Sequence, residues 1–396
     1  MKRAFLFPAF LLTLTLTLPL SLPLHAQHSI QGHVIDGETN TPLPGANVFI
    51  AKTTKGVSTN VDGSFVITGL PALHFQLVIS FIGYQTQVLE VVPGQPISYK
   101  IILKPAANRL SEIVVRSRSS RNEWLANLAL FKEHFIGLSE NSKLCTIENQ
   151  DILDFDKKDN VLTASADTAV YIMNKGLGYR LKILINKYEY HQTSVHLYYQ
   201  GNLVFQPLTP ADETERKLWA KNRLKAYRGS EMHFFRAVYH RRILEEGFIF
   251  NLVHEVHHPK GEPTLEGISD TTFAMRSAIY NNRKYKVSTL NKYSHILDSI
   301  STPEKPVLNY TDLLEVRYIQ EAEGFAYNRY HNLDGGVTTP QRSLATLHTP
   351  AIVEPTGQLY PQDAIETKGY WSWELIAESL PLDYDPAEDI KITEEK

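Results

Sequence analysis

The segment His254-Glu255-Val256-His257-His258 combines residue types and a spacing that can support zinc chemistry. In a His-Glu-x-x-His pattern, two histidines four residues apart project from one helix face onto zinc, and the intervening glutamate acts as general base. His254 and His258 are the metal ligands in such a site, and Glu255 is the base. One hypothesis is therefore a zinc metallopeptidase centred on these residues.

The surrounding residues predict a strand rather than the helix that this zinc site requires. The run Phe248 to Val253 is rich in residues that prefer strands. Pro259 directly follows the segment and disfavours helical geometry at His258. We therefore expect a strand with an exposed histidine-rich end. Adventitious binding of a transition metal by its three histidines is compatible with either conformation.

Other catalytic signatures are missing from the sequence. It contains no Gly-x-Ser-x-Gly elbow, phosphate-binding glycine loop or nucleotide fingerprint. The single cysteine, Cys145, lies among apolar residues, so we expect a buried hydrophobe, no intrachain disulfide and no thiolate metal cluster. A formal net charge of -3 argues against a nucleic-acid partner. We expect no catalytic residue, no cofactor and no metal outside the zinc alternative.

The first 26 residues read as a secretory signal peptide. Lys2 and Arg3 precede an apolar run from Ala4 to Leu24, and Ala26 ends a sequence typical of a cleavage site. About 370 residues remain after cleavage, which predicts two domains. No second run of about 18 apolar residues follows. We expect an exported protein of the periplasm or the outer-membrane periphery, without a transmembrane segment in the mature chain.

The region from His28 to Lys104 predicts an all-β sandwich of about seven strands, because short segments rich in Val, Ile, Phe and Tyr alternate with turn residues. Leu77, Ile79 and Phe81 lie on one face of a predicted strand. We expect this face to meet four apolar residues of other strands, which are Ile30, Val48, Phe65 and Ile67.

Four motifs of this region carry a family resemblance. They are Ile-Gln-Gly-His-Val-Ile-Asp at 30–36, Thr-Pro-Leu-Pro-Gly-Ala-Asn-Val at 41–48, Thr-Asn-Val-Asp-Gly-Ser-Phe at 59–65 and Ser-Phe-Ile-Gly-Tyr at 80–84. Together they closely resemble the carboxypeptidase regulatory-like domain, a transthyretin-like sandwich found in exported proteins of the Bacteroidetes. The resemblance implies an accessory folding or docking role. Zinc carboxypeptidases carry a His-x-x-Glu pair, and this sequence has none.

Residues 105–121 form the expected connector. Its segment 110–115, Leu-Ser-Glu-Ile-Val-Val, is similar to the TonB box that follows the same domain in starch-utilisation-type TonB-dependent receptors. We expect 113–115 to form a further strand and the basic run 116–121 to act as a linker. Contact of the segment 110–115 with TonB stays open as the alternative.

Residues 122–384 predict an α+β domain with an antiparallel sheet and a helical hairpin. The alternation from Lys182 to Tyr188 is typical of a strand. Thr209 is the expected cap of a helix that runs to about Arg228, and Ser230 is the expected cap of the next.

Two further predictions concern the end of the chain. We expect Phe325 to Tyr330 to continue the β pattern and the acidic tail 385–396 to be disordered. Trp371 and Trp373 are expected to anchor a short helix in the core rather than to stack on a sugar.

The helical hairpin is the most basic region of the mature chain. We expect a solvated face that is partly paired with nearby acids, and docking to an anionic lipid or glycan phosphate is the alternative. The basic residues are Lys217, Lys221, Arg223, Lys225, Arg228, Arg236, Arg241 and Arg242. Taken together, the sequence favours a non-enzymatic envelope protein that binds a protein or a surface glycan or lipid.

Overall fold

The computed structural model describes residues 28–70, 73–92, 98–106, 121–256, 284–287, 292–331 and 339–395. Its N-terminal part is the predicted sandwich of seven strands. They are β1 (His28–Asp36), β2 (Asn47–Ile50), β3 (Gly56–Ser58), β4 (Ser64–Leu70), β5 (Phe75–Ser80), β6 (Gln87–Val91) and β7 (Ser98–Leu103). One sheet has the order β4-β1-β7 and the other β3-β2-β5-β6. The β1–β7 pair is parallel, and the other pairs are antiparallel.

The core of the sandwich lies between the two sheets. Leu77 and Ile79 of β5 are fully buried there. They share this core with the four predicted partners, Ile30, Val48, Phe65 and Ile67. Val78 points to the opposite face of β5 and is also buried, because that face packs with Phe49 against the rest of the chain. The outer face of this sheet is therefore an interface.

The C-terminal region, residues 121–395, contains antiparallel sheets. Its strands are β8 (Cys145–Ile147), β9 (Asp154–Lys158), β10 (Val161–Ser165), β11 (Val170–Asn174), β12 (Tyr179–His191), β13 (His196–Pro207), β14 (Phe248–Val256), β15 (Lys284–Val287), β16 (Val307–Leu308), β17 (Leu313–Ala322), β18 (Pro340–Leu347), β19 (Ala351–Val353), β20 (Leu359–Tyr360) and β21 (Ile365–Gly369). The sheet orders are β8-β11-β12-β10-β9 with β13 on β12, β15-β14-β17-β18-β21, and β16-β19-β20.

Helices cover these sheets, which confirms the predicted α+β class. They are α1 (Arg121–Phe131), α2 (Glu213–Tyr227), α3 (Glu231–Tyr239), α4 (Phe325–Tyr330), α5 (Tyr370–Trp373) and α6 (Pro386–Glu394). A π-helical turn, Lys132–Ile136, extends α1. Short 3-10 turns span Asn141–Leu144, Gln150–Ile152, Tyr293–His295 and Ile376–Glu378. One apolar core joins α1 to the first sheet, and another joins α3 to the second.

The helical hairpin consists of α2 and α3, and α2 begins later than predicted. Asp212 rather than Thr209 is the cap, because its carboxylate accepts a hydrogen bond from the Glu215 N–H at 2.8 Å. The Glu215 carboxylate in turn accepts from the Ala211 N–H at 2.7 Å. These reciprocal bonds resemble a capping box and fix the first helical residue at Glu213.

The second helix of the hairpin begins as predicted. The Ser230 hydroxyl accepts from the His233 N–H at 3.1 Å and caps α3. Gly229 separates the helices at a φ of 79°, a conformation that favours glycine. A Cβ atom there would lie 1.9 Å from Gln341 Oε1 and 2.8 Å from the Tyr318 ring, so a larger residue would also have to displace these two side chains.

The expected strand over Phe325–Tyr330 is wrong, because this segment forms α4. The helix turns Tyr327 inward, where its ring lies 5.1 Å from Tyr370 and 5.6 Å from Trp373. Phe325 stays 81% exposed. Aromatic contacts from distant residues therefore override the β-preferring composition of the segment.

The expected disorder of the acidic tail is also wrong. Residues 386–394 form α6, which packs along α2, and Asp385 caps it by accepting from the Ala387 N–H at 2.9 Å. Asp389 is only 2% exposed and binds Arg223 of α2. A buried ion pair with a remote helix orders a segment whose composition alone predicts disorder.

Candidate functional site

The proposed zinc motif begins on a strand. β14 includes His254 and Glu255, whose backbones pair with Lys286 and Tyr285 of β15. The strand prediction is confirmed up to Val256, and the helical geometry of a His-Glu-x-x-His site is not present over these positions. His257 and His258 lie outside the described residues. Within the described ranges, no three His, Cys, Asp or Glu side chains form a group that could hold a metal.

The basic hairpin is less exposed than the sequence predicted. Arg223 forms a buried ion pair, and Arg236 donates to the carbonyls of Thr356, Leu382 and Tyr384 at 3.0 Å each. These two guanidinium groups therefore hold the fold together. The remaining exposed bases include Arg242, which pairs with two acids of its own turn, as expected.

A cavity of about 550 Å³ lies where the sandwich meets the C-terminal region. It is the strongest candidate site, because charged, polar and aromatic side chains from distant segments meet there. Its charged residues are Lys52, Glu231, Glu374 and Glu378. Its aromatic residues include Phe135, Tyr199, Phe205 and Trp371.

Lys52 reaches the cavity because a turn of the sandwich is hydrogen-bonded to the C-terminal region. Its N–H donates to the Leu203 carbonyl at 2.5 Å, and its own carbonyl accepts from the Leu382 N–H at 2.7 Å. The Phe205 N–H donates to the Thr53 carbonyl at 3.0 Å. Lys52 has a φ of 61°, which non-glycine residues rarely adopt. The contacts between the two regions thus hold this turn in place.

Side-chain contacts reinforce the same junction. The Thr54 N–H donates to Asp383 Oδ1 at 2.9 Å, and the Thr54 hydroxyl bonds the same carboxylate. His74 contacts the Glu354 carboxylate through Nδ1, and its ring stacks on Tyr360 with centroids 4.1 Å apart. The sandwich is therefore fixed on the C-terminal region rather than tethered to it.

Three glutamates reach the cavity from separate elements. Glu231 is the first residue of α3, Glu374 directly follows α5, and Glu378 ends a 3-10 turn. Glu378 Oε2 accepts from Asn141 Nδ2 at 2.7 Å. Among the residues that the structure describes, none of the three carboxylates forms a salt bridge with Lys, Arg or His.

Burial raises the pKa of all three carboxyl groups. At Glu374 the pKa lies well above its ordinary value, first through desolvation and then through the charges of Glu378, Glu321 and Glu231. Desolvation also raises the pKa of Glu231, and the nearby Lys52 ammonium partly opposes this rise. The same desolvation lowers the pKa of Lys52. The cavity therefore carries more acidic than basic groups in a poorly hydrated setting.

Two polar atoms on the cavity wall have no hydrogen-bond partner among the described residues. They are Nε2 of Gln358, a residue only 8% exposed, and the hydroxyl of Tyr199. Buried polar groups are normally paired, and an unpaired one costs about 1–3 kcal/mol. The cavity thus contains hydrogen-bonding capacity that the protein itself leaves unused.

Trp371 forms part of the cavity wall and is anchored in the core, as predicted. Its indole N–H donates to the Gly229 carbonyl at 2.8 Å, and its side chain is 6% exposed. Trp373 lies 5.4 Å from Tyr330 and joins the aromatic cluster around α4. Sequence reasoning identified the tryptophan pair but missed the glutamates beside it, although Glu374 and Glu378 follow the pair closely.

Comparison with known proteins identifies the first region. Residues 30–115 match the CarboxypepD_reg-like domain family, and the sandwich occupies the described part of this range. The resemblance found in the sequence motifs is therefore confirmed. The described residues include no helix long and apolar enough to cross a membrane.

The relatives of this chain include receptors from Bacteroidetes. It is 35% identical over 107 residues to TonB-dependent receptor P39 of Formosa agariphila, a match covering 27% of this chain and 10% of the receptor. It is 31% identical over 145 residues to TonB-dependent receptor SusC of Bacteroides thetaiotaomicron, covering 36% and 13% respectively. The chain thus spans about a tenth of the length of these curated relatives.

The solved structures that resemble this chain match only part of it. A cohesin–X-dockerin complex from Acetivibrio cellulolyticus is 20% identical, with 20% of this chain and 58% of that chain covered and a TM-score of 0.18. Catechol 1,2-dioxygenase from Acinetobacter is 12% identical, with coverages of 22% and 54% and a TM-score of 0.18. Scores this low carry no argument about function.

Proposed function

We propose that this chain is an exported cell-envelope protein that binds a protein or a surface polymer without catalysing a reaction. In this proposal a signal peptide, 1–26, directs the protein to the periplasm or the outer-membrane periphery. A sandwich domain at 28–104 and an α+β domain at 122–384, joined by the connector 105–121, together form the binding unit. The similarity of the N-terminal part to TonB-dependent receptors supports the envelope location.

The cavity at the junction is the observation that carries the binding role. Its volume of about 550 Å³ is in the range of pockets that enclose small ligands or a short segment of a larger one. Lys52 comes from the sandwich and the three glutamates from the C-terminal region, so the complete wall exists only in the docked arrangement. A ligand in the cavity would therefore also stabilise docking.

The two serine hydroxyls in the cavity wall, those of Ser230 and Ser379, serve the backbone rather than a nucleophilic role. The Ser230 hydroxyl donates to the Tyr227 carbonyl at 2.7 Å and accepts from the His233 N–H, so it serves as a helix cap. The Ser379 hydroxyl donates to the Leu375 carbonyl at 3.3 Å. A nucleophilic serine requires an adjacent general base, and these hydroxyls are instead engaged with the backbone.

The proposal is tested by native mass spectrometry on the mature full chain with three named probes. These are maltotriose, the blocked tripeptide acetyl-Ala-Lys-Ala-amide and the blocked tripeptide acetyl-Ala-Gln-Ala-amide. We expect at least one probe to bind with a 1:1 stoichiometry and to be recovered intact after prolonged incubation. Hydrolysis of a bound probe contradicts the proposal. So does absence of binding by all three probes together with glucosamine, N-acetylglucosamine and the Nε-acetylated form of the lysine peptide.

Variants that narrow the cavity identify where a probe binds. Gln362→Trp and Thr367→Trp each place an indole at the cavity wall and are expected to weaken binding at least tenfold. Gln200→Trp is the matched control, because Gln200 is exposed and does not line the cavity. Equal binding by all variants, with unchanged thermal stability, would place the ligand elsewhere and overturn the cavity as the binding site.

A further inference from the structure

The charges of the cavity do not balance. Three carboxylates, Glu231, Glu374 and Glu378, share the wall with a single ammonium group, that of Lys52. The Lys52 ammonium acts electrostatically on Glu231, whereas the charged groups that act on Glu374, besides its desolvation, are the carboxylates of Glu378, Glu321 and Glu231. When all four groups are ionised, the wall carries an excess of two negative charges. A cation inside the cavity would therefore gain interactions that the empty protein cannot supply.

The aromatic part of the wall favours the same ligand chemistry. Phe135, Phe205 and Trp371 line the cavity, and all three side chains are almost fully buried. The faces of aromatic rings carry negative charge density and attract cations, most strongly when water is excluded. A wall of carboxylates and aromatic rings is therefore suited to an ammonium group.

A second, independent feature indicates a ligand with acceptor oxygens. The buried amide of Gln358 and the hydroxyl of Tyr199 both lack a partner among the described residues, and both residues line the cavity. An amide N–H and a hydroxyl can donate to a carbonyl or hydroxyl oxygen. A ligand that satisfies the whole wall therefore needs two groups, a cation for the carboxylates and an acceptor oxygen for the unpaired donors.

We propose that the cavity binds its ligand through a primary ammonium group held by Glu231, Glu374 and Glu378, with an acceptor oxygen of the ligand facing Gln358 and Tyr199. This inference rests on the proposed binding function and specifies its ligand chemistry. Two sources share that chemistry, a lysine side chain in a peptide and an amino sugar. The volume of about 550 Å³ accommodates either.

Isothermal titration calorimetry with matched pairs of probes tests the ammonium requirement. The peptide pair is acetyl-Ala-Lys-Ala-amide and the same peptide with the lysine Nε acetylated. The sugar pair is glucosamine and N-acetylglucosamine. We expect the charged member of at least one pair to bind tenfold or more tightly than its neutral partner. The pair that shows the difference identifies the source of the ammonium group.

Two substitutions are expected to act in opposite directions. Glu374→Gln removes the carboxyl group that a bound ammonium would keep ionised, and it should weaken binding of the charged probe at least tenfold. Lys52→Met removes the competing ammonium and should strengthen it several-fold. Glu140→Gln is the control, because Glu140 is an exposed carboxylate outside the cavity and should leave binding unchanged. Opposite shifts cannot arise from partial unfolding, which would weaken binding in both variants.

The outcomes separate this inference from the proposed function. Equal affinity for charged and neutral members of both pairs overturns the ammonium inference but leaves the binding function supported. Absence of binding by all four probes, maltotriose and the glutamine peptide contradicts both. Weaker binding of the charged probe by Lys52→Met, with unchanged thermal stability, also overturns the inference. It would show that the ligand binds the Lys52 ammonium rather than the carboxylates.

Discussion

Arg223 of α2 binds both carboxylate oxygens of Asp389 in α6, with Nε–Oδ2 and Nη2–Oδ1 distances of 2.7 and 2.5 Å. The Tyr384 hydroxyl donates to the same carboxylate at 2.9 Å. This bidentate pair is almost fully enclosed, with the Asp389 side chain 3% exposed. It connects the last helix of the chain to the helical hairpin.

Breaking this buried pair should strongly destabilise the protein. We expect Asp389→Asn to lower the free energy of unfolding by about 3–5 kcal/mol, because the Arg223 charge would remain buried without a counter-ion. Urea denaturation measures the change. Glu395→Gln is the matched control, since Glu395 pairs with Arg216 at an exposed position between the same two helices. That substitution should cost less than about 1 kcal/mol. Equal losses would show that the tail is not held by the buried pair.

Docking of the sandwich depends on the outer face of β2 and β5. Phe49 is 3% exposed and packs with Val78 against Val204 of β13. We expect Phe49→Ala to cost about 3–5 kcal/mol and to release the sandwich from the C-terminal region. Val66→Ala is the control, because Val66 of β4 is 51% exposed. It should change the free energy of unfolding by less than about 0.5 kcal/mol. Differential scanning calorimetry would contradict this if the two variants had the same melting temperature.

The buried acid Glu374 predicts a pH dependence of stability. The pKa of the Glu374 carboxyl group is higher in the folded state than in the unfolded state. The stability that its protonated form provides is therefore complete below the ordinary pKa of 4.5 and is lost as the pH rises through the raised pKa. Glu374→Gln should therefore be more stable than the natural protein at pH 8 and nearly equal to it at pH 4. Urea denaturation at both pH values tests this. A constant difference between the proteins across that range would exclude the carboxyl group as its source.

His233 predicts the opposite dependence. Burial lowers its pKa, and its Nδ1 accepts from the Gly229 N–H at 3.1 Å, which requires an unprotonated nitrogen. The stability that the neutral His233 imidazole provides is complete above the ordinary pKa of 6.5 and is lost as the pH falls through the lowered pKa. We expect His233→Gln to reduce the loss of stability between pH 7 and pH 4.5. Exposed His196→Gln should keep the natural profile.

The zinc content of the purified protein tests the metallopeptidase alternative. Because β14 places His254 and Glu255 on a strand, we expect tag-free protein purified with added zinc to retain less than stoichiometric metal after dialysis. Inductively coupled plasma mass spectrometry measures the ratio. One zinc ion per chain that disappears in His254→Ala would revive the peptidase hypothesis, with His240→Ala as the control at an exposed histidine.

Local residue patterns were sufficient for much of the fold. Alternating apolar residues placed the sandwich strands, and Ser230 was correctly predicted as the cap of α3 because a cap bonds only to its own first turn. The domain motifs carried the family resemblance, since their turn residues are determined by the backbone nearby. The strand character of Phe248 to Val256 was also readable from composition.

Tertiary structure determines the conformation of the acidic tail and the composition of the cavity wall. Asp389 has the composition of a solvated acid, and only the position of Arg223, more than a hundred residues earlier, makes it a buried ion pair. Likewise Lys52, Glu231 and Glu374 are ordinary surface residue types until folding brings them together. A sequence pattern reports which residues share a strand or helix face, whereas the chemistry of a cavity depends on which faces meet. The sequence by itself thus determined the sandwich and its family, and the packing of two regions created the candidate site.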